Sequence, residues 1–164
     1  MTPQEIFTYL TKAFPAAELV LEEIQPSPVI RVPRAVLADV ALKLRDDDAL
    51  HFECLMCLSG LDKAPELHTV YHLHSMKNKQ TVALRCVVTR DDPSMPTVCH
   101  VWQTAEWHER EAWDMFGIRF ENHPDHRRIL CADDWDGHPL RKDYKAPESF
   151  HGIPLTNILP ESLS

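Results

Sequence analysis

Glycine is scarce in this chain, with four residues in 164. A phosphate-cradling loop needs several glycines at fixed spacing, so a nucleotide-binding loop is hard to place anywhere. Positive charge is also in short supply: 17 lysines and arginines face 25 aspartates and glutamates, for a net charge of −8. A nucleic-acid binder would show a basic stripe instead. No apolar run approaches the ~18 residues that suggest a membrane span, and the opening MTPQEIFTYL lacks the basic and apolar regions of a secretory signal. Contact with a membrane is therefore expected only through a partner. The five cysteines, at 54, 57, 86, 99 and 131, are odd in number and follow no framework spacing, which fits a reduced, cytosolic setting.

What is present is an ordinary globular composition, 44% apolar and 26% charged, long enough for one domain with a real core. Thr2-Pro3-Gln4-Glu5 has the form of a capping box with proline at the first helical position. Ile6, Phe7, Leu10 and Phe14 follow at helical spacing, so a first helix ends near Pro15. Leu19–Leu21 and Val29–Val32 read as short strands around the turn-like Gln25-Pro26-Ser27-Pro28. Pro33 opens a second helix with Val36, Leu37, Val40, Ala41 and Leu44 along one stripe. Three strands follow. The first places Leu50, Phe52, Cys54, Met56 and Leu58 on one face and ends at Gly60-Leu61-Asp62. The second runs from Glu66 to Ser75, and Lys77-Asn78-Lys79 makes the turn into the third, which aligns Val82, Leu84, Cys86 and Val88. Asp91 to Pro96 reads as a loop, Thr97 as the N-cap of a third helix and Gly117 as the residue just past its end.

The expected fold is α+β with two layers: helices on one face of a mixed sheet, in the order α-β-β-α-β-β-β-α, followed by an extended C-terminal segment. Residues 1–120 make the α+β part, and 121–164 a polar, proline-punctuated segment that binds a partner.

Three groups of residues invite chemistry. Cys54-Leu55-Met56-Cys57 has CxxC spacing, but in a regular strand residues three apart face opposite ways, so core packing is the expected role. His68, His72 and His74 share a strand face, and an HxH pair on a strand can bind zinc; with no further ligand assignable, a polar sheet face is the simpler reading. The third group lies in the third helix, where Trp102, Ala105, Ala112, Trp113 and Phe116 form an apolar stripe with Glu109 inside it. A carboxylate there is costly unless paired. Arginines in HPDHRRIL (123–130) and GHPLRKDY (137–144) are candidate partners, and which of them pairs with Glu109 is open. A general acid tuned by burial, Glu109 or Asp114, is the catalytic alternative. No nucleophile with its base accompanies them, so a structural ion-pair network is expected. All four tryptophans (Trp102, Trp107, Trp113 and Trp135) fall in this final part, and tryptophan and arginine are enriched at interfaces.

WQTAEWHEREAWDMFGI (102–118), HPDHRRIL (123–130) and WDGHPLRKDY (135–144) together resemble the C, or 30-kilodalton, subunit of respiratory complex I, the NADH:quinone oxidoreductase. The resemblance is dense from about residue 96 to 144 and thin before it. His126 stands where that family usually has leucine, Lys145 where proline commonly follows the Asp-Tyr pair, and Cys99 where threonine is common. The resemblance implies a peripheral-arm subunit on the cytoplasmic side of the inner membrane, with no catalytic residues and no bound cofactor. FMN, iron–sulfur clusters and quinone would belong to other subunits, as would the passage of electrons from NADH to quinone with proton translocation. It implies packing beside the large quinone-site subunit (D, or 49-kilodalton, type) and near the iron–sulfur B-type subunit. The expected interface and ion-pair network comprises Glu109, Arg110, Glu111, Asp114, His123, Arg127, Arg128, Trp135, His138, Arg141, Lys142, Asp143 and Tyr144. The equivalent subunit of a membrane-bound nickel–iron hydrogenase-type complex is the first alternative, and a stand-alone zinc protein using His68, His72 and His74 the second.

Overall fold

The computed structural model describes residues 1–25 and 27–155; Pro26 of the expected turn and positions 156–164 of the expected C-terminal segment lie outside them. Helix α1 (Pro3–Ala13) starts as its sequence requires. The Thr2 hydroxyl accepts the Glu5 N–H, the Glu5 carboxylate accepts the Thr2 N–H, and Pro3 occupies the first turn. Its Ile6 and Leu10 are fully buried. Strands β1 (Val20–Glu22) and β2 (Val29–Arg31) pair antiparallel. A 3-10 turn at Arg34–Val36 then leads into α2 (Leu37–Asp46), which buries Leu37, Val40, Ala41 and Leu44.

Strands β3 (Cys54–Lys63), β4 (Glu66–Ser75) and β5 (Gln80–Thr89) form an antiparallel meander. β2 pairs parallel to β5, so the sheet is mixed, in the order β1-β2-β5-β4-β3. Leu67, Tyr71 and Leu73 of β4 and Val82, Leu84, Cys86 and Val88 of β5 point into one core with the buried residues of α1, α2 and α3 (Ala105–Phe116). This is the two-layer α+β architecture expected from the pattern.

Four local expectations change. Leu50 and Phe52 are buried but precede β3, and the strand runs through Gly60 to Lys63 rather than stopping there. A Cβ at Gly60 would sit 2.5 Å from the Phe116 ring, so glycine is what lets α3 close on the strand. Within β3 the register slips between Leu55 and Cys57, leaving Met56 without a partner as a bulge. Leu55 and Leu58 therefore face the core, whereas Cys54 and Cys57 both face away from it, so the rule that three-apart residues diverge fails here. The expected loop at 91–96 contains a strand, β6 (Ser94–Pro96), which pairs parallel with β7 (Arg119–Glu121) just past α3. Thr97 does not cap α3: residues 98–104 form turns, and the helix begins at Ala105. Trp102 is buried in those turns, its indole N–H donating to the Phe52 carbonyl at 2.8 Å. A short hairpin, β8 (Ser149–Phe150) and β9 (Ile153–Pro154), follows the tail.

Candidate functional site

Helix α3 and the segment that folds back over its end carry nearly all the residues singled out in the sequence. Three of the six buried positions of α3, Glu109, Arg110 and Asp114, are charged, and each is handled differently.

Asp114 is fully buried. One of its oxygens meets the Arg128 guanidinium at 2.6 Å, and the other accepts the backbone N–H groups of Ile129, Leu130 and Cys131 at 3.1, 2.8 and 2.9 Å. Burial alone would raise its pKa, but the Cys131 and Leu130 N–H groups, Arg128 and the Ile129 N–H outweigh it and hold the carboxyl at about 2. Arg128 also donates to the carbonyls of Trp135 and Gly137 at 2.7 and 3.0 Å and lies over the Trp113 ring. One ion pair thus fixes the backbone on both sides of a loop.

The C-terminal end of α3 is closed in the same way. A helix leaves its last four carbonyls without intrahelical donors. Here the Trp113 carbonyl takes the Gly117 N–H, with Gly117 in the left-handed conformation at φ +74° as expected for this cap. The carbonyls of Asp114, Met115 and Phe116 take the His138 ring N–H, the Leu140 N–H and the Arg141 guanidinium, at 3.0, 3.0 and 2.6 Å. The His138 contact requires its Nδ1–H tautomer, and burial lowers its pKa. Arg141 also sets a positive charge against the negative end of the helix. Beyond it, the Lys142 N–H donates to Asp62, Asp143 meets Arg90 at 3.0 Å, and Arg90 bridges back to Asp62. The Trp135 indole donates to the Tyr144 hydroxyl at 3.0 Å.

Arg110 pairs with no buried carboxylate. It donates to the carbonyls of Arg127 and Arg128 at 3.1 and 2.9 Å and packs on Trp107. Glu111 is exposed, and Arg127 is a surface residue beside Asp125. Asp114, Arg128, His138 and Arg141 thus hold the tail to its own chain, while Glu111 and Arg127 take no part in this. His126 fills a slot against Trp113, with ring centroids 4.6 Å apart, and accepts the Phe120 N–H.

Glu109 corrects the expectation of an arginine partner. Its carboxylate, fully buried, accepts the Thr97 hydroxyl at 2.5 Å, the Val98 N–H at 2.8 Å and the Cys99 thiol at 3.3 Å. The residue taken from sequence as a helix cap thus donates to this carboxylate, and Cys99 does too. Burial pushes the Glu109 carboxyl up to about 7 against these three donors, and pushes the Cys99 thiol up to about 12. His123 lies 3.9 Å away with its side chain fully buried.

Cys99, Glu109 and His123 are, among the described residues, the one trio of potential ligands whose atoms gather within 4.8 Å. Their hydrogen bonds do not fit a metal. His123 Nε2 faces the Glu106 carbonyl at 3.0 Å, which demands an N–H there, while Nδ1 accepts the Asp125 N–H at 3.0 Å. Both contacts select the tautomer with no lone pair at Nε2, the nitrogen aimed at Glu109. A hollow of about 540 Å³ opens beside Thr97 and Cys99, and Glu109 does not line it. The trio is a hydrogen-bonded core cluster. His68, His72 and His74 do share the outer face of β4, as expected, but their ring nitrogens do not converge.

The arrangement has clear relatives. Residues 30–150 match the family model described as respiratory-chain NADH dehydrogenase, 30 Kd subunit. The C subunit of the NADH-quinone oxidoreductase of Chloroherpeton thalassium is 52% identical over 118 residues, covering 70% of this chain and 48% of that protein. Its counterpart from Chlorobium phaeobacteroides is 52% identical over 120 residues, 70% of this chain and 71% of that one. The chain thus spans about half the length of the first relative. Among solved structures, the trypsin-resistant fragment of Nqo5 superimposes with a TM-score of 0.60 and 28% identity over 73% of this chain and 98% of the fragment. A chain of the membrane-bound sulfane sulfur reductase, an archaeal respiratory membrane complex, gives a TM-score of 0.70 and 25% identity over 87% of this chain and 85% of that chain. With the family match running from β2 to the hairpin beyond the tail, this chain belongs to the family of the 30 kDa subunit of respiratory-chain NADH dehydrogenase.

Proposed function

We propose that this chain is a structural subunit of the peripheral arm of an NADH-quinone oxidoreductase, without catalytic residues and without FMN, iron–sulfur cluster or quinone of its own. In that complex FMN, iron–sulfur clusters and quinone are held by other subunits, electrons pass from NADH to quinone, and protons are translocated. The tail lies along the large quinone-site subunit of the D type, near the B-type iron–sulfur subunit, on the cytoplasmic side of the inner membrane. Membrane contact is then through partners: among the described residues no helix is long and apolar enough to cross a bilayer.

The observation that carries this reading is how the tail is held. Asp114, Arg128, His138 and Arg141 direct their polar groups to the chain's own backbone, so the tail is ordered before any partner arrives. Outward, among exposed charges such as Arg127, Asp133, Asp134 and Lys142, it presents large apolar side chains: Leu130 is 64% and Leu140 54% exposed, with Trp107 of α3 at 59%. A pre-ordered surface with large apolar side chains suits a permanent interface, because little further ordering opposes binding.

Affinity capture of the tagged chain from detergent-solubilised source membranes tests it. Recovery of a large quinone-site subunit with iron–sulfur subunits is expected, and Leu130→Asp with Leu140→Asp should reduce that recovery at least tenfold. Capture of the chain alone would overturn the reading. The likeness to the archaeal sulfane sulfur reductase chain favours a second reading, the equivalent subunit of a related membrane complex with a different electron acceptor. Recovery of a nickel–iron-type large subunit would select that one.

A further inference from the structure

The bulge at Met56 has a chemical result. In an unbroken strand Cys54 and Cys57 would face opposite ways. The slipped register puts Cys54 opposite His74 and Cys57 opposite His72, with Met56 displaced outward at 59% exposure. His72 and His74 are two apart on β4 and share a face, so two thiols and two imidazoles stand at the corners of one patch on the outer side of the sheet. Facing Cα atoms in such a ladder are about 4.5–5.5 Å apart, and the next rung on the same face is roughly 7 Å along. Those spacings suit ligands reaching one ion at ~2.3 Å from sulfur and ~2.0–2.1 Å from nitrogen. None of the four is buried: His72 is exposed, and Cys54, Cys57 and His74 are partly so.

We propose that Cys54, Cys57, His72 and His74 form a binding site for a thiophilic divalent cation of the zinc class. Two sulfurs and two imidazole nitrogens are a tetrahedral donor set that zinc favours and that magnesium and calcium do not. The site assembles on binding. Cys57 Sγ rests 3.2 Å from the Ser59 hydroxyl, and no three of the four ligand atoms lie within 4.8 Å of one another. Capture turns the Cys57 side chain off Ser59 and brings the imidazole nitrogens over the patch. Two thiols become thiolates and their two protons go to solvent, so affinity rises with pH. The bound ion clips the edge strand β3 to its neighbour β4.

The test uses the full chain, tag-free and reduced, titrated with Co²⁺ as a spectroscopic probe and then with Zn²⁺ in competition. One equivalent of Co²⁺ should give tetrahedral d–d bands and a thiolate-to-cobalt charge-transfer band, both removed by one equivalent of Zn²⁺. Cys54→Ser and Cys57→Ser should each weaken the charge-transfer band and the double variant abolish it. His72→Gln or His74→Gln should lower affinity at least tenfold, and Cys99→Ser should change nothing. In the unmutated chain, zinc should protect Cys54 and Cys57, but not Cys131, from alkylation read by mass spectrometry. Absence of a stoichiometric charge-transfer band overturns the proposal. So does a band that survives in the double variant, one lost in Cys99→Ser, or alkylation of Cys54 and Cys57 undiminished by zinc.

Discussion

Replacing Asp114 by asparagine tests whether the latch on α3 holds the tail. The substitution keeps the shape and removes the charge. Oδ1 sits 2.6 Å from Arg128, and Oδ2 collects three backbone N–H groups. An asparagine can satisfy only one of these sides: its NH₂ must face either the guanidinium or the three amides, donor against donor. Breaking a buried pair by removing one partner typically costs ~3–5 kcal/mol, and the lower end, about 3 kcal/mol, applies because the backbone can relax. The pH dependence gives an independent magnitude. Asp114 is held at about 2 against an ordinary value of 3.8, which at about 1.4 kcal/mol per tenfold change in proton affinity amounts to about 2 kcal/mol. Because the folded value is depressed, this stability is fully present above about pH 4 and is lost as pH falls through about 2. Urea unfolding followed by tryptophan fluorescence reads the total, since Trp113 and Trp135 flank the latch, and amide exchange at Ile129, Leu130 and Cys131 reads its location. Arg128→Met should cost a similar amount. The double variant should cost less than the sum by more than the ~0.5 kcal/mol expected of independent sites. An Asp114→Asn protein with parental stability and unchanged protection at those three amides would refute the reasoning.

Glu109 behaves in the opposite sense. Its folded value, about 7, lies above the ordinary 4.5, so the native state keeps a proton that the unfolded chain releases. The group's contribution is fully present below about pH 4.5 and falls by about 3 kcal/mol up to pH 7; Glu109→Gln should remove that slope from an unfolding series between pH 4.5 and 8. Gly117→Ala places a Cβ at 2.6 Å from the His138 ring and 2.7 Å from the Arg141 guanidinium, at φ +74°. A left-handed alanine alone costs ~1–2 kcal/mol, so the melting temperature should drop and amide exchange at Leu140, Arg141 and Tyr144 should quicken.

Regions with one dominant signal were legible in the sequence. The capping box at Thr2, the alternation of β4 and the glycine after α3 each had a single sensible interpretation, and each is found in the fold. The failures have physical causes. Around Met56 both phases of the strand are apolar, Cys54 and Met56 in one and Leu55 and Leu58 in the other by way of the bulge, so alternation cannot reveal a slipped register. Val98, Val101 and Trp102 keep helical spacing through a run of turns, which drew the expected start of α3 back from Ala105 to Thr97. Three-residue strands such as β6 and β7 are too short to show a period. At the site, the buried carboxylates and the basic tail were visible, but their pairing was not. Arginine abundance suggested a cationic partner for Glu109, whereas its donors are a hydroxyl, an amide and a thiol 10–12 residues earlier in the chain. The arginine belongs to Asp114.

The capping of α3 by residues far downstream has a consequence for biosynthesis. Phe116 waits for Arg141, which is 25 residues later. At about 5–20 residues per second, the ribosome takes roughly one to five seconds to supply it. Throughout that interval the Phe116 carbonyl has only water, and for its first half, until residues 128–131 are made, Asp114 has neither its guanidinium nor its amides. The nascent chain therefore passes through a stage in which sheet and helices can form while the outward surface of the tail does not yet exist. The geometry of one helix end thus sets the earliest moment at which the outward surface of the tail can be presented, after Arg141 has been made.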